Sequence, residues 1–437
     1  MSERTTITQV TQIGVESTPG TAVAATKKLG ATSIEPSIQA EITTFRPAGV
    51  KFNTIGVLGK EWTEASIEGP ASYTDLTYLF AGALNYAAPA QQGGTAAYLW
   101  TFTPSHTAED TVKTFTVERG SAVRAGRFSY GTVNELGISF SRESVDVSGS
   151  MLGQLYTDDV HLSTNATYTL TAAAGPPSAG TFTLTYSGQT TAGIAFDATP
   201  AAVELAIEAL STVGTGNVEV TATVAEGAGT LAVANNVYTV EFVNALAQAP
   251  RTMTGTFTGL TAAGTIVLAA GVVGVTPTSI ALQPVLPTEV SVYLDVSGAT
   301  LGNTKLTRAF TADWKIGNRF GPLWPLNSAN TSFATTIETA PESTLALMVE
   351  ADAAGMGPLT AMRAGTKQFI RIEAVGPIIA GAYPWKLTLD MCGLVSEVGE
   401  FSDEDGVYAV QWTFAAAYDS TWTKALSVAL QNTLTAL

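Results

Sequence analysis

Histidine and cysteine, which often bind metals or act in catalysis, are scarce in this sequence. The chain of 437 residues has two histidines, His106 and His161, and one cysteine, Cys392. His161 follows Asp158 and Asp159, which could supply metal or acid–base chemistry, but no third ligand lies at a metal-site spacing. We therefore interpret both histidines as loop residues. A single cysteine also excludes an intramolecular disulfide, so the fold must depend on packing and hydrogen bonds.

Three acidic residues gather in the short segment FSDEDG, directly before Gly406. Asp403, Glu404 and Asp405 superficially resemble the start of a calcium-binding loop, but the bidentate acid that closes such a loop is missing. Asp-Gly between two alternating apolar segments is a strong signal for a two-residue hairpin turn. The sequence favours a solvated hairpin turn here over a calcium site.

A pair of carboxylates beside an aromatic side chain could in principle hydrolyse a glycan. Glu64 and Glu68 are predicted to share one strand face with Trp62, the arrangement of an acid pair next to an aromatic platform. Acids on alternate positions of a strand are also what an ordinary solvent face contains. Because the sequence has no nucleophile elbow, phosphate-binding loop or dinucleotide fingerprint, we expect no catalytic, cofactor-binding or metal-binding residues, and a protein that is not an enzyme.

The charge balance bears on partners and location. The chain has 21 basic and 37 acidic side chains, a formal net charge of −16, which argues against charge-driven binding to nucleic acid. An acidic wall would instead let DNA pass without holding it. The longest apolar run, residues 266–275, is too short to span a bilayer, and the first ten residues contain no apolar segment. We expect a soluble protein made in a cytoplasm.

Composition divides the chain into three zones. The middle zone contains Arg251 as its only basic residue and none of the seven tryptophans, and segments rich in Pro and Gly lie near both of its ends. Within it, Thr199 and Pro200 are typical of a helix start, between segments that alternate like strands. We predict one domain that is interrupted by an insertion. Its first part is at 1–163, the inserted small α+β domain is at 164–285, and its second part is at 286–437.

The flanking zones read as strands with one buried face. Apolar side chains alternate with polar ones in NELGISF, TEVSVYLDVSG, PWKLTLDM and GVYAVQWTF. Alternation on this scale is typical of a sandwich or barrel. The predicted fold class is therefore mainly β, a β-sandwich or barrel with one flanking α-helix, plus the inserted α+β domain.

The flanking helix is predicted in EWTEASIEGPASYTDLTYLFAGAL, where the period changes. The segment alternates like a strand up to Ile67 and has helical spacing from Tyr73 onward, and Ser72 with Asp75 resembles a capping box. An apolar stripe must be buried against something. It could plug the open end of its own sandwich, or it could help to build a contact between copies. The stripe consists of Leu76, Leu79, Phe80, Ala83 and Leu84.

The two flanks together resemble the tail tube (major tail) proteins of long-tailed bacteriophages. The resemblance covers residues 1 to about 163 and about 286 to 437, as an order and composition of segments rather than a strict motif. The inserted zone is similar to a small module that recurs in phage virion and bacterial surface proteins. The segments that carry the resemblance are QIGVESTPGTAVAATKKLGATSIEPSI, GKEWTEASIEGPASYTDLTYLFAGAL, VNELGISFSRESVDVSGSMLGQ and GVYAVQWTFAAAYDSTWTKALSVALQNTL.

The resemblance implies a structural virion protein. Six copies would form a ring, and rings would stack into a tube through which DNA is ejected into the host, without specific DNA binding and without a membrane. The implied partners are further copies of the chain, a tape measure protein inside the tube, and tail terminator and distal tail proteins at its ends. The implied location is the virion tail, assembled in the host cytoplasm. The inserted domain would lie outside, because a lumen has no room for six extra domains.

The resemblance also implies where copies meet. In such rings adjacent subunits extend their sheets into one inner barrel, while a long loop, here residues 45–62, and the N-terminal arm contact neighbouring rings. Combined with strand alternation, it gives three candidate lumen-facing acids, Glu64, Glu68 and Asp146. The candidate contacts between subunits, on the loop and on the helix, are Val57, Leu58, Leu76, Leu79 and Phe80.

A second function class fits part of the sequence. The inserted zone and the threonine-rich strands would also suit a bacterial or virion surface β-domain protein with an adhesive role, binding glycans or cells. A signal peptide or an anchor would favour that alternative. The sequence is therefore compatible with two main hypotheses, a tail tube subunit and, as the alternative, an adhesive surface protein.

Overall fold

A computed structural model describes most of the chain. Its described residues are 9–121, 125–160, 162, 165–173, 177–223, 231, 236–261, 265–326 and 331–437. His161 lies outside them. Strands dominate these residues, so the predicted mainly β fold is confirmed, and the α-helices among them are α1 (Asp75–Ala83), α2 (Pro200–Glu208) and α3 (Gly357–Ala364).

The strands of the first flank and of the second flank contribute to the same large sheet system. In the first flank they are β1 (Val10–Val15), β2 (Lys27–Lys28), β3 (Ser33–Phe45), β4 (Ile55–Pro70), β5 (Ala90–Gln91), β6 (Tyr98–Phe102), β7 (Phe115–Gly120), β8 (Ala125–Phe140), β9 (Val145–Gly153) and β10 (Tyr156–Val160). The middle zone contains β11 (Thr167–Ala173), β12 (Ala179–Tyr186), β13 (Gln189–Thr190), β14 (Ile194–Ala195), β15 (Val218–Ala222), β16 (Val237–Phe242), β17 (Met253–Thr256), β18 (Leu260–Thr261), β19 (Thr265–Ala270) and β20 (Thr278–Ser279). The rest of the chain forms β21 (Val290–Asp295), β22 (Lys305–Leu306), β23 (Ala309–Gly317), β24 (Phe320–Leu323), β25 (Thr335–Glu338), β26 (Glu342–Glu350), β27 (Gln368–Ala380), β28 (Tyr383–Glu404), β29 (Val407–Ala416) and β30 (Leu426–Asn432).

Two antiparallel layers form a sandwich around the main core. The front sheet has the order β3-β4-β9-β8-β23-β26-β29-β28. The back sheet has the order β22-β21-β27-β28-β30-β6-β5. The long strand β28 belongs to both, since Lys386–Met391 pairs with β30 and Gly393–Glu404 pairs with β29. A smaller layer of β1, β2, β7, β10 and β20 joins the first half of β8.

Alternation explains why these segments fold as a sandwich. Leu136 and Ile138 of β8 and Trp314 of β23 point into the space between the layers, and Leu387 of β28 meets them from the other layer, all fully buried. The one-face burial predicted from the sequence is therefore confirmed for β8 and β28. Tyr408, predicted to share the buried face of β29, is instead 63% exposed, because the end of β29 extends past the core.

Helix α1 is wedged between the two layers. The ring of Phe80 lies 5.9 Å from that of Trp314 in the front sheet and 5.8 Å from that of Phe102 in the back sheet. Every residue of the helix is buried. Of the two alternatives left open by the sequence, the structure shows the first: the helix packs inside its own sandwich.

The predicted capping box at the start of α1 is wrong. No side chain caps the helix, and the backbone N–H groups of Gly30, Ala31 and Thr32 donate to the buried carboxylate of Asp75 at 3.1, 2.7 and 3.0 Å. The carboxylate thus fixes the chain segment before β3 to the helix. Its negative charge at the helix N-terminus is also favourable for the helix dipole.

The middle zone contains a second hydrophobic core. Its sheet β15-β16-β11-β19 and the strands around β12 enclose this core together with α2. The predicted cap of α2 is confirmed, because the hydroxyl of Thr199 accepts a hydrogen bond from the N–H of Ala202 at 3.3 Å.

The end of the predicted insertion belongs to the first core. Ile280 and Val285 pack in the sandwich, and the backbone of residues 283–285 exchanges hydrogen bonds with Ala71 and Tyr73 at the start of α1. Residues 278–285, assigned to the insertion from the sequence, are thus part of the sandwich. The Pro-rich segment here is bonded to residues 71–73, just before α1, through an isolated bridge between Pro284 and Ser72 and the backbone of its neighbours, and it is not a free linker.

Candidate assembly surfaces

The three candidate contacts on helix α1 have no surface left for another subunit. Leu76, Leu79 and Phe80 are all fully buried in the isolated chain. The prediction that they contact a neighbouring copy directly is wrong. Their apolar stripe is satisfied between the two layers of the sandwich, and a substitution there acts on folding first.

The candidate contacts Val57 and Leu58 lie on a long two-stranded projection. Strands β3 and β4 pair over their whole length, from Ser33 opposite Glu68 to Phe45 opposite Ile55, and run well beyond the end of β9, where Gly153 pairs with Thr63. We call residues 38–58 the arm. Its exposed large apolar side chains are Ile38, Ile42, Phe45, Val50, Phe52, Ile55, Val57 and Leu58.

The arm is apolar on both of its faces. A register shift between Glu41 and Ile42 places Ile42 beside Leu58 on one face, while Phe45 pairs with Ile55 on the other. A two-stranded ribbon alone in water is marginally stable. An exposed apolar ribbon is also a template for association. The arm therefore has the character of a surface that is covered in the functional state.

The front sheet ends in two unlike edge strands. β3 forms one end of the strand order, and the second half of β28, from Leu394 onward, forms the other. Edge strands carry backbone N–H and C=O groups that can pair with another chain. Because the two ends of the sheet differ, pairing β3 of one copy with β28 of the next would be heterologous, the kind of contact that closes into a ring.

The three candidate lumen-facing acids share the outer face of the front sheet. Glu64 and Glu68 are exposed on β4, while Asp146 is exposed on the adjacent strand β9. Trp62 donates its indole N–H to Glu64 at 3.1 Å, which fits the predicted common face. Serines lie between these acids, with Ser148 opposite Glu68. The face is polar, acidic and turned away from the core.

Cations on this face neutralise only part of its charge. The ammonium of Lys60 lies 3.2 Å from Glu41, and that of Lys315 lies 3.3 Å from Glu135. Both pairs are exposed, so each contributes little to stability. The acids Glu64, Glu68 and Asp146 have no ion pair among those of the described residues. The outer face therefore keeps a negative balance.

The segment FSDEDG forms a tight turn between β28 and β29, as the sequence predicted. Asp405 and Gly406 both have positive φ, 51° and 80°, which matches a two-residue hairpin turn, and the N–H of Gly406 donates to Asp403 at 2.8 Å. We call residues 401–408 the acidic hairpin. Phe401 and Tyr408 stack at 4.8 Å between ring centroids, and both are exposed.

His106 and Cys392 lie in no candidate site among the described residues. His106 stacks on Tyr418 with the ring centroids 3.7 Å apart, and Cys392 is fully buried, where burial raises the pKa of its thiol to about 11. Among the described residues, no cluster of three or more His, Cys, Asp or Glu side chains could hold a metal ion. Likewise, none of the helices described is long and apolar enough to cross a membrane.

Comparison with known families adds no relative. No protein-family model matches the chain, and no curated protein matches it.

Proposed function

We propose that the chain is the subunit of a self-assembling tube, the major tail tube protein of a long-tailed bacteriophage. Six copies would close into a ring, and stacked rings would form the conduit for DNA ejection. The tape measure protein would occupy the lumen during assembly, and terminator and distal tail proteins would bind the two ends. The protein would have no catalytic role and would act in the virion.

The observation that carries this proposal is the arm. Its two strands expose apolar side chains on both faces, including Phe52 at 73% exposure, and they extend past the core that could have covered them. Burying a large apolar side chain stabilises by about 1.5–3 kcal/mol. Covering several of them in an assembly would contribute strongly to association, whereas leaving them in water favours aggregation.

The front sheet supports the same proposal. Its two different edge strands suit head-to-tail pairing around a ring, and its outer face is acidic at Glu64, Glu68 and Asp146. In a ring with this face inward, the acids would repel phosphates, and few cations would bind them. DNA could then pass without the Lys and Arg contacts that make binding tight.

The test is an arm-shortened protein in which Asn-Gly replaces residues 44–56. Thr43 and Val57 are cross-strand partners, so a two-residue turn can join them without disturbing the sheet. We expect the variant to keep the unfolding free energy of the wild type but to form no stacked rings or tubes in sedimentation velocity runs in which the wild type forms them.

A matched control separates loss of the arm from loss of apolar surface in general. Leu205 on α2 is 70% exposed and far along the chain from the arm, so Leu205→Thr should leave assembly unchanged. If the arm-shortened protein assembles as well as the wild type, the arm has no role in assembly and the proposal loses its main support.

A further inference from the structure

The arm and the acidic hairpin project in opposite directions from the front sheet. A continuous row of cross-strand partners crosses the front sheet from β4 to β28. In order, its residues are Pro70, Asp146, Ser139, Asp313, Ala346, Thr413 and Glu397. From this row, β4 runs back to Ile55 and the arm, while β28 runs the other way to Glu404. The two hairpins also lie at opposite lateral ends of the strand order.

The two hairpin tips have complementary charges. Residues 45–55 contain two exposed cations, Arg46 and Lys51, and no acid, in a chain whose net charge is −16. The acidic hairpin contains Asp403, Glu404 and Asp405 and no cation. Complementary charges of this kind orient an encounter and exclude wrong partners.

Both tips also expose aromatic surface next to these charges. Phe45 and Phe52 are 53% and 73% exposed on the arm, and Phe401 and Tyr408 are 47% and 63% exposed on the acidic hairpin. Aromatic side chains beside opposite charges are typical of the buried centre and the polar rim of an interface. Each tip therefore exposes aromatic side chains and a charge of one sign. The other tip offers aromatic side chains and the opposite charge.

We propose that the arm of one copy docks on the acidic hairpin of a second copy that is displaced along the strand direction. This inference depends on the proposed function, and it assigns the contact between successive rings. Two copies side by side at the same level keep their arms and acidic hairpins at opposite ends of the sheet. Displacement by one ring brings the arm of the lower copy to the acidic hairpin of an upper copy.

Charge exchange between the two tips tests this docking. Arg46→Glu with Lys51→Glu changes the charge of residues 45–55, the tip of the arm, from +2 to −2. Asp403→Asn, Glu404→Lys and Asp405→Asn change the hairpin from −3 to +1. Asparagine keeps the oxygen that accepts from Gly406 and tolerates the positive φ of residue 405, so the turn is preserved.

Tube length and yield are measured by negative-stain electron microscopy, with rings counted separately. Each single-sided variant should lower tube yield by about tenfold or more, because like charges now meet, while single rings persist. The protein carrying both sets should recover tubes to within about twofold of the wild type. Lys305→Glu with Arg363→Glu reverses two exposed charges outside both hairpins and should leave tubes unchanged.

The outcomes distinguish this docking from the proposed function. Normal tubes in both single-sided variants, or no recovery in the combined one, would overturn the docking and leave the tube subunit proposal in place. A wild-type protein that forms neither rings nor tubes would contradict the proposed function itself.

Discussion

Phe80 shows how one side chain connects the two layers of the sandwich. Its ring lies within 6 Å of Trp314 in one layer and of Phe102 in the other, and it is fully buried. We expect Phe80→Ala to lower the free energy of unfolding by about 3–5 kcal/mol, since it leaves a cavity where both sheets meet. Urea unfolding monitored by tryptophan fluorescence measures this loss.

The same variant also tests whether helix α1 acts only within its own subunit. Any loss of rings should follow the loss of folded protein, and stabilising conditions should restore assembly. A variant with wild-type stability but no assembly would mean that the side chain contacts a neighbouring copy after all.

Arg319 forms a buried charge cluster beside the end of helix α1. Its Nε donates to the carbonyl of Ala83 and its Nη2 to Asp110, both at 2.7 Å, and Glu338 lies 3.0 Å from Nη1. Burial raises the pKa of Asp110, although the guanidinium opposes this. Arg319→Met leaves that carboxylate buried without its partner and should cost about 3–5 kcal/mol.

Urea unfolding of Arg319→Met provides the measurement, with Arg363→Met on exposed α3 as the control. The control should lie within about 0.5 kcal/mol of the wild type. Equal stability of the two variants would contradict the structural role given to the cluster.

Cys392 offers a check of burial by pH. Burial raises the pKa of its thiol from an ordinary value of 9.0 to about 11, so the unfolded chain loses this proton at a lower pH than the folded chain. The stability that the protonated thiol contributes is complete below the unfolded pKa and is lost as pH rises through the folded one. At pH 8 we expect negligible labelling by a thiol reagent until urea unfolds the protein; rapid native labelling would contradict the buried position.

At the scale of elements, the sequence was informative where one local pattern decides the structure. Alternation predicted the buried faces of β8 and β28, and Thr199 before Pro200 predicted the start of α2, because side-chain period and capping depend on neighbours in sequence. The cap of α1 depends on amides at residues 30–32 that only the tertiary fold brings to Asp75. Helix α3 was missed because it is short, spanning Gly357–Ala364, with two buried side chains.

The boundary of the insertion gives a prediction at this scale. Removing residues 166–275 keeps Ile280, Val285 and the hydrogen bonds to the start of α1, whereas removing 166–284 takes Ile280 and the backbone of Gln283 away from the first core. With the same short linker, the first deletion should fold and assemble, and the second should be less stable by several kcal/mol, roughly the loss of one core side chain and its neighbours.

Thermal unfolding and sedimentation of the two deletion proteins decide the point. Equal behaviour of the two would mean that residues 276–284 contribute nothing to the sandwich. Failure of both to fold would contradict an insertion that is separable from the sandwich.

At the scale of the whole molecule, the exposed surfaces matter more than any single site. The family resemblance implies a loop at Val57 and Leu58 that contacts neighbours, whereas the structure shows both residues in strand β4, on an arm with apolar side chains on both faces. The acidic hairpin was predicted only as a turn. The exposure of Phe401 and Tyr408 could not be predicted, because alternation does not indicate where a strand extends beyond the core that covers it.

The most direct test of the central claim is negative-stain electron microscopy of the purified wild-type protein over a range of concentrations, with and without tail extracts as seeds. The account predicts sixfold rings with an open lumen, which stack into tubes of one diameter as the concentration rises. A protein that remains monomeric at every concentration, and that seeds never recruit into tubes, would contradict it.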